Sequence, residues 1–313
     1  MRLSGFRKKF KRKTAEYLLK KQINAALVIG TIAPKGGDGM PRKRLTQMFP
    51  FLLPLRKWER KRIFYLGMQL DGNKYARKTS NQVLPNTVFE TSSLMLNENS
   101  GFDMKYQINK VHNLKLAAKT VDKVIIGPNE TFSFWQLVRR ADQHEKYKDG
   151  LNLVDGKITG TYGGGLCQLS NMLFWLFLHT PLTIIERHGH AVESFPSTTE
   201  DLPCGTDATI SEGWLDLKIR NDTDNTFQIV ISFDDEYMYG RLLSQNPVNV
   251  EYSITNSSVC YIYKNGRTYQ IASVHRCERD KKTHRETGTE LYVNQCEIGY
   301  ELPDDITVEE RSA

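Results

Sequence analysis

The sequence predicts an α+β fold in which a buried central helix follows a glycine-rich turn and packs on a mostly antiparallel β-sheet, with an additional C-terminal β region. Two observations predict the helices: a continuous apolar run directly after Gly163–Gly165, and apolar residues at helical spacing within 109–123. A third predicts the sheet, because short alternating segments separated by turn residues fill the chain from Thr183 onward. At 313 residues and 39% hydrophobic content, the chain is long enough to bury a sizeable core.

The first 62 residues are strongly basic. They contain eighteen Lys or Arg residues and three acidic ones, whereas the rest of the chain contains 25 Lys or Arg residues and 33 acidic ones. Apolar and aromatic residues such as Phe49–Leu55 lie between the basic clusters, a combination typical of a segment that contacts an anionic membrane surface. An RNA-binding arm and a solvated segment are the alternatives, and nucleic acid is disfavoured because no RNA-binding module is recognisable.

The apolar content also bears on location. No run reaches the ~18 to 20 apolar residues of a membrane-spanning helix. The weakly apolar stretch Ile23–Ala33 follows a long charged region and lacks the cleavage site of a signal peptide. The sequence therefore favours a cytoplasmic or membrane-peripheral location.

Four regions are predicted along the chain. They are a basic, partly apolar segment at 1–62, a connecting region at 63–104, a main domain at 105–245 and a β-rich extension at 246–313. The five cysteines form no Cys-x-x-Cys pair, which argues against both a disulfide framework and a zinc knuckle.

The main domain begins with helical signals. Apolar residues within Asn109–Lys123 predict an amphipathic helix, and Gly127–Glu130 predicts a turn before a short extended segment. Trp135–Asp142 is predicted to return to helix, and the polar residues 144–161 to form a loop or irregular hairpin. Leu169–His179 is apolar on nearly every face, which predicts a helix buried in the domain centre.

Strands are predicted for the remainder. The predicted strands of the main domain are Thr183–Val192, Asp207–Ile210, Trp214–Asn221, Thr226–Phe233 and Tyr237–Ser244. In the C-terminal extension, Val259–Tyr263 and Thr268–Val274 flank Asn265-Gly266, a strong hairpin turn signal.

Cys167 lies directly after Gly163–Gly165 and before the apolar helix, so the glycine turn is expected to place it at the helix N-terminus. There the unpaired backbone N–H groups and the positive end of the helix dipole favour a thiolate. The alternative is a small core cysteine without chemistry.

His188 and His190 are two residues apart on a predicted strand, so both side chains are expected on one face. A neutral imidazole can take the proton of a thiol and later return it to a leaving amine. The spacing does not choose between the two histidines, and they are also compatible with a packed pair. A zinc site with Cys167 or Cys204 is a minor alternative, because no second pair at metal-ligand spacing accompanies it. We predict no metal and no cofactor.

Four ordered motifs resemble the VanW family over residues 105–245. The motifs are Gly163–Ser170, Glu186–Val192, Gly205–Thr209 and Leu215–Thr223, and Asn109–Leu114 with Pro128–Phe134 fits the leading part of the family. Members of this family occur as accessory proteins in glycopeptide-resistance operons. Some VanW domains act as L,D-transpeptidases through the glycine-flanked cysteine.

The resemblance implies a cysteine-dependent acyl transfer on peptidoglycan stem peptides, with Cys167 as nucleophile and His190 or His188 as base. Asp207 is then expected to orient a histidine or to hold a substrate ammonium. Gln168 and the backbone amides of Gly165 and Leu166 become candidates around the oxyanion. The alternative is a non-catalytic accessory protein that binds a peptidoglycan precursor in the same cleft. Transpeptidation implies an extracytoplasmic position, in contrast to the location that the composition favours.

Overall fold

The structure is a computed structural model that describes residues 49–96, 103–154, 157–193 and 202–310. Residues 1–48 of the basic segment predicted at 1–62 therefore lie outside the described residues. The chain divides into two compact units. One contains residues up to Lys74 together with Ser211–Trp214, and the other contains Tyr75–Ile210 and the chain from Leu215 onward.

The first unit is built around one helix. The 3-10 turn Pro50–Leu52 leads into α1, Leu53–Leu70, whose first turn contains a proline, the residue that tolerates this position because its nitrogen needs no hydrogen bond. Phe64 and Met68 are buried, and the guanidinium of Arg60 lies 4.4 Å from the ring centre of Trp214. Among the described residues, no helix is long and apolar enough to cross a membrane.

The second unit contains the sheets. The strand bounds are β1 Lys74–Tyr75, β2 Asn86–Leu94, β3 Ile125–Ile126, β4 Glu130–Ser133, β5 Asp149–Val154, β6 Lys157–Tyr162, β7 Thr183–Glu186, β8 Val192–Glu193, β9 Lys218–Arg220, β10 Phe227–Phe233, β11 Tyr237–Ser244, β12 Val250–Lys264, β13 Arg267–Asp280, β14 Glu286–Ile298 and β15 Val308–Glu310. Their order is β1-β4-β9-β7, β2-β11-β10-β3, β15-β12-β13-β14-β8 and the hairpin β5-β6. The β12–β15 and β14–β8 pairs are parallel. The longer pairs, such as β10–β11 and β12–β13, are antiparallel.

Three helices complete this unit in its described part: α2 Met104–Val121, α3 Phe134–Val138 and α4 Cys167–Leu178. Eight of the twelve residues of α4 are buried, and the helix packs on β2 and β11. Gly240 of β11 allows this approach, because a Cβ there would lie 2.9 Å from Leu176 and 3.0 Å from Met172 of α4. The central core therefore forms between α4 and an antiparallel sheet.

The predicted α+β class, with a buried helix after the glycine turn and a C-terminal β region, is confirmed. Four predicted elements differ. The strand predicted at Trp214–Asn221 forms only at Lys218–Arg220, because Trp214 lies in a turn. The helix predicted at Trp135–Asp142 ends at Val138. The strand predicted at Thr183–Val192 is interrupted, because β7 ends at Glu186 and the chain stays irregular up to β8. Asp207–Ile210 forms no strand, since its backbone bonds to side chains and loops.

Candidate active site

The glycine turn holds the start of α4 against the hairpin β5–β6. Gly163 and Gly165 have φ angles of 71° and 94°, which residues other than glycine rarely adopt. Gly164 approaches the hairpin so closely that a Cβ would lie 2.1 Å from the carbonyl oxygen of Gly150. Asn113 of α2 donates to the carbonyl of Gly164 at 3.0 Å. Backbone freedom and close approach therefore both require glycine, and the turn delivers Cys167 as the first residue of α4.

The backbone N–H groups of the glycine turn precede the thiol in sequence. The N–H groups of Gly165, Leu166 and Cys167 donate to no other described residue, as expected of the first amides of a helix. Leu166 is the N-cap and has no side-chain hydrogen bond to the helix. These amides are within two residues of Cys167 in sequence and are candidate donors to an anion.

His190 is the histidine that meets Cys167. Its Nδ1 lies 2.5 Å from Oδ2 of Asp207, and its backbone N–H donates to the same oxygen at 2.7 Å. That bond leaves Nε2 for the hydrogen bond between His190 and Cys167. Asp207, predicted to orient a histidine, thus fixes both the ring and the backbone of His190. The order thiol, imidazole, carboxylate is the arrangement of an activated nucleophile.

The electrostatics favour a thiolate paired with an imidazolium. Burial acts to raise the pKa of Cys167, but the hydrogen bond and charge of His190, with smaller contributions from Ile210 and Thr209, lower it below the ordinary value. Burial acts to lower the pKa of His190, yet hydrogen bonds to Asp207 and Cys167 outweigh it and raise the pKa to about 10. The two shifts together favour transfer of the thiol proton to His190.

His188 occupies a different environment. Its Nε2 lies 3.1 Å from Oε1 of Glu186, and Glu186 also pairs with Lys218 at 2.9 Å. The expectation that both histidines lie on one face of a strand is wrong, because residues 187–191 are irregular and each ring finds its own carboxylate. The structure brings His190 to Cys167 and places His188 beside Glu186.

The side-chain amide of Gln168 binds the end of β2. Its Nε2 donates to Oγ of Ser93 at 2.8 Å and to the carbonyl of Leu94 at 2.6 Å, so both amide protons are used. The side chain therefore ties the first turn of α4 to the end of β2. Among the described residues, no group of three His, Cys, Asp or Glu side chains is arranged to hold a metal ion.

Comparisons with known proteins agree with the motifs. A family model described as "VanW like protein" matches residues 109–243, a range that contains Cys167, His190 and Asp207. Vancomycin B-type resistance protein VanW of Enterococcus faecalis is 51% identical over 272 residues, which cover 87% of this chain and 99% of that protein. The chain belongs to the VanW family. The resemblance found in the sequence motifs is thereby confirmed.

A second relative matches this VanW-family chain over a shorter range. Uncharacterized protein YoaR of Bacillus subtilis is 37% identical over 113 residues, which is 36% of each chain. No solved structure gives a significant match.

Arg187 is a site residue of this VanW-family chain that the sequence analysis did not single out. Its guanidinium donates to both the carboxylate and the carbonyl of Asp207 at 2.6 Å, and to the carbonyl of Gly205 at 2.7 Å. It also lies 4.7 Å from the ring centre of Tyr292. Arg187 therefore fixes the loop that carries Asp207. A signal was present in the sequence, because Arg187 is the only Lys or Arg within the Glu186–Val192 motif.

Thr209 was likewise missed, although the Gly205–Thr209 motif contains it. Its Oγ1 lies 3.8 Å from the Cys167 sulfur, and its backbone N–H donates to the carbonyl of His188 at 2.7 Å. Ser170 of α4 donates to the carbonyl of Ala208 at 2.6 Å. These bonds hold the 207–210 segment against the first turn of α4, so this VanW-family site joins the start of α4, residues 187–190 and residues 205–210.

Proposed function

We propose that this chain is a cysteine-dependent acyl transferase of the L,D-transpeptidase type that acts on peptidoglycan stem peptides. The observation that carries the proposal is the contact of Cys167, at the N-terminus of a buried helix, with an imidazole that Asp207 orients. The name of the 51% identical relative, a vancomycin B-type resistance protein, supports a role in resistance to glycopeptide antibiotics.

The reaction begins with the thiolate of Cys167. Its sulfur attacks the carbonyl carbon of the third residue of a stem peptide, and the negative charge moves to the carbonyl oxygen. The backbone amides of Gly165, Leu166 and Cys167 are the candidate donors to that oxygen. When the bond to the terminal D-alanine breaks, the leaving nitrogen takes the proton of His190 and a thioester remains on Cys167.

The second half reverses the proton transfer. An amine of another stem peptide attacks the thioester and passes its proton to His190, which regenerates the imidazolium and the thiolate. Water in place of the amine gives hydrolysis. Asp207 keeps the same tautomer and ring orientation through both halves, because it accepts from Nδ1 while Nε2 exchanges the proton.

The decisive experiment is mass spectrometry of the purified protein incubated with disaccharide tetrapeptide muropeptides. We expect release of D-alanine and an acyl adduct on Cys167. Cys167→Ala abolishes both, whereas Cys260→Ala, which alters a cysteine of the C-terminal sheet, leaves both intact. His190→Gln removes turnover and His188→Gln retains it. Binding of muropeptide without any turnover in the parent protein would instead support the precursor-binding alternative.

We also propose an anionic membrane surface as a partner of α1. Leu55, Trp58 and Leu66 are 60%, 54% and 47% exposed, and their spacing of three and eight residues places them on one face of the helix together with Arg62. Their side chains fit the lipid interface, and the neighbouring cations fit anionic headgroups.

Vesicle sedimentation of the full chain tests this partner. Binding to vesicles containing phosphatidylserine should fall as salt rises, and Leu55→Ser with Trp58→Ser should weaken it by about tenfold or more. Val83→Ser is the matched control, because Val83 is 52% exposed in the other unit. Equal binding by the double variant, or binding to RNA in place of vesicles, would contradict the proposal.

A further inference from the structure

Lys110 is a partly buried cation beside the glycine turn. It lies on α2, and its side chain packs on Gly165 so closely that a Cβ on Gly165 would meet Cγ of Lys110 at 2.2 Å and Cδ at 2.9 Å. The ammonium is two bonds beyond that Cδ. Gly165 precedes Cys167 by two residues, so the lysine stem lies against the backbone that positions the nucleophile.

The ammonium has no counter-charge within the described part of the chain. Neighbouring residues of α2 are fully engaged, since Asn109 donates to the carbonyl of Asp149 and Asn113 to that of Gly164. Lys110 forms neither an ion pair nor a hydrogen bond with another described residue. A partly buried cation without a partner loses part of its hydration, and an anionic ligand can supply the missing charge.

Electrostatics agree with this geometry. Burial alone lowers the pKa of Lys110 to about 8, with no neighbouring carboxylate to offset it. The group therefore remains mostly protonated at pH 7, and an incoming anion recovers part of the lost hydration.

We propose that Lys110 binds the C-terminal carboxylate of the substrate beside Cys167. The inference rests on the proposed function for its choice of carboxylate: in a stem peptide cut before its last residue, that group belongs to the leaving D-alanine. One residue spans about 3.8 Å between Cα atoms, so its carboxylate follows the scissile bond closely. Lys110 thereby selects stem peptides with a free C-terminus one residue past the bond that is cut.

Two alkylating reagents test the inference without a peptide. Iodoacetate carries a carboxylate next to its reactive carbon, whereas iodoacetamide is neutral and has nearly the same size. Site-specific mass spectrometry gives the rate of each reaction at Cys167, and the ratio of the two rates is divided by the ratio for free glutathione. Any change in the thiolate fraction cancels in this ratio, because both reagents attack the same thiolate.

The parent protein should favour iodoacetate by about tenfold relative to glutathione, the effect expected of one hydrogen bond to a charged group. Lys110→Met should abolish the preference and Lys110→Arg should retain part of it. Lys119→Met, which removes an exposed cation of the same helix, should leave it unchanged. An equal ratio in the parent and in Lys110→Met would overturn the inference.

Two further measurements separate this inference from the proposed function. D-alanine should protect Cys167 of the parent from iodoacetamide better than D-alaninamide does, which requires no variant to fold. Equal protection by the two compounds counts against a carboxylate site. In turnover by the parent protein, a tetrapeptide with a C-terminal amide should have a higher KM than the same tetrapeptide with a free carboxylate. In Lys110→Met the two KM values should be equal. A preference for carboxylates without any turnover would leave the carboxylate site standing and reject the acyl transferase.

Discussion

Asp207→Asn is the substitution that most directly tests the thiolate–imidazolium pair. One oxygen of Asp207 accepts from the ring and the backbone of His190, and the other accepts from Arg187. An asparagine of the same shape loses the negative charge and directs an N–H₂ group at one of these donors. The imidazolium then loses its charged partner while Cys167 and the helix keep their places.

The magnitude follows from the contact that is lost. A hydrogen bond to a charged group contributes about 1.5 to 3 kcal/mol, and one pKa unit corresponds to about 1.4 kcal/mol. We therefore expect the pKa of His190 to fall by about one to two units. Because His190 is what lowers the pKa of Cys167, the thiolate–imidazolium form should become about ten- to hundredfold less populated relative to the neutral pair.

The pH dependence of iodoacetamide reaction at Cys167 measures this population. In the parent protein, reaction should begin below the ordinary thiol pKa of about 8.5, because His190 lowers the pKa of Cys167. Asp207→Asn should move that onset upward by about one to two pH units, and His188→Gln should not move it. An unchanged profile in Asp207→Asn, or an equal shift in His188→Gln, would refute the assignment of the pair.

Three further predictions concern the frame of the site. Gly165→Ala should lower the free energy of unfolding by about 1 to 3 kcal/mol in urea titrations, because φ is positive there and the new methyl meets a lysine stem, whereas Gly288→Ala, which has open space, should change little. Arg187→Lys should slow Cys167 alkylation at pH 6 by about tenfold, since an ammonium cannot reproduce the four hydrogen bonds of the guanidinium; a rate equal to the parent's would contradict this role. Burial, aided by the charge of Glu186, raises the pKa of Asp216 to about 7 despite its hydrogen bonds. The stability that this protonated carboxyl contributes is complete below its unfolded pKa of about 4 and is lost as pH rises through 7. Asp216→Asn should therefore gain stability relative to the parent between pH 5 and pH 8, and a difference independent of pH would exclude the shift.

Local patterns predicted the elements whose structure depends on local signals. β11 coincides with the predicted Tyr237–Ser244, and β10 begins one residue after the predicted start at Thr226. Asn265 and Gly266 have φ angles of 54° and 75°, the left-handed conformation that the hairpin turn signal implies. Alternation and turn chemistry are readable from neighbours in sequence, which explains this agreement.

The irregular segments depend on contacts that are distant in sequence. The strand predicted through residues 187–191 is interrupted where Arg187 bonds to the Gly205–Asp207 loop. It is also interrupted at Gly189, where a Cβ would lie only 2.4 Å from the side-chain oxygen of Asn294. Ala208 donates to Asn171 of α4 and not to a neighbouring strand. Apolar alternation cannot reveal these partners, so the sequence analysis placed both segments in the sheet.

Site prediction divides in the same way. The glycines and the apolar run were sufficient to place Cys167 at the start of a buried helix. The choice between His188 and His190 required the positions of Glu186 and Asp207, which lie on separate segments. The two-residue spacing placed both rings on one face of a strand. In the structure the rings are separated, because His188 binds Glu186 and His190 binds Asp207.

Cys167 belongs to the core helix itself, as the first of twelve residues of which eight are buried. Its sulfur has no loop of its own to absorb a displacement, so a cavity or an oversized side chain beneath α4 would be transmitted along the helix to the thiol. Alkylation of Cys167 is therefore a sensitive gauge of core packing. Variants that loosen the interior while the chain remains folded should first be detected as altered thiol chemistry, ahead of any change in the unfolding curve.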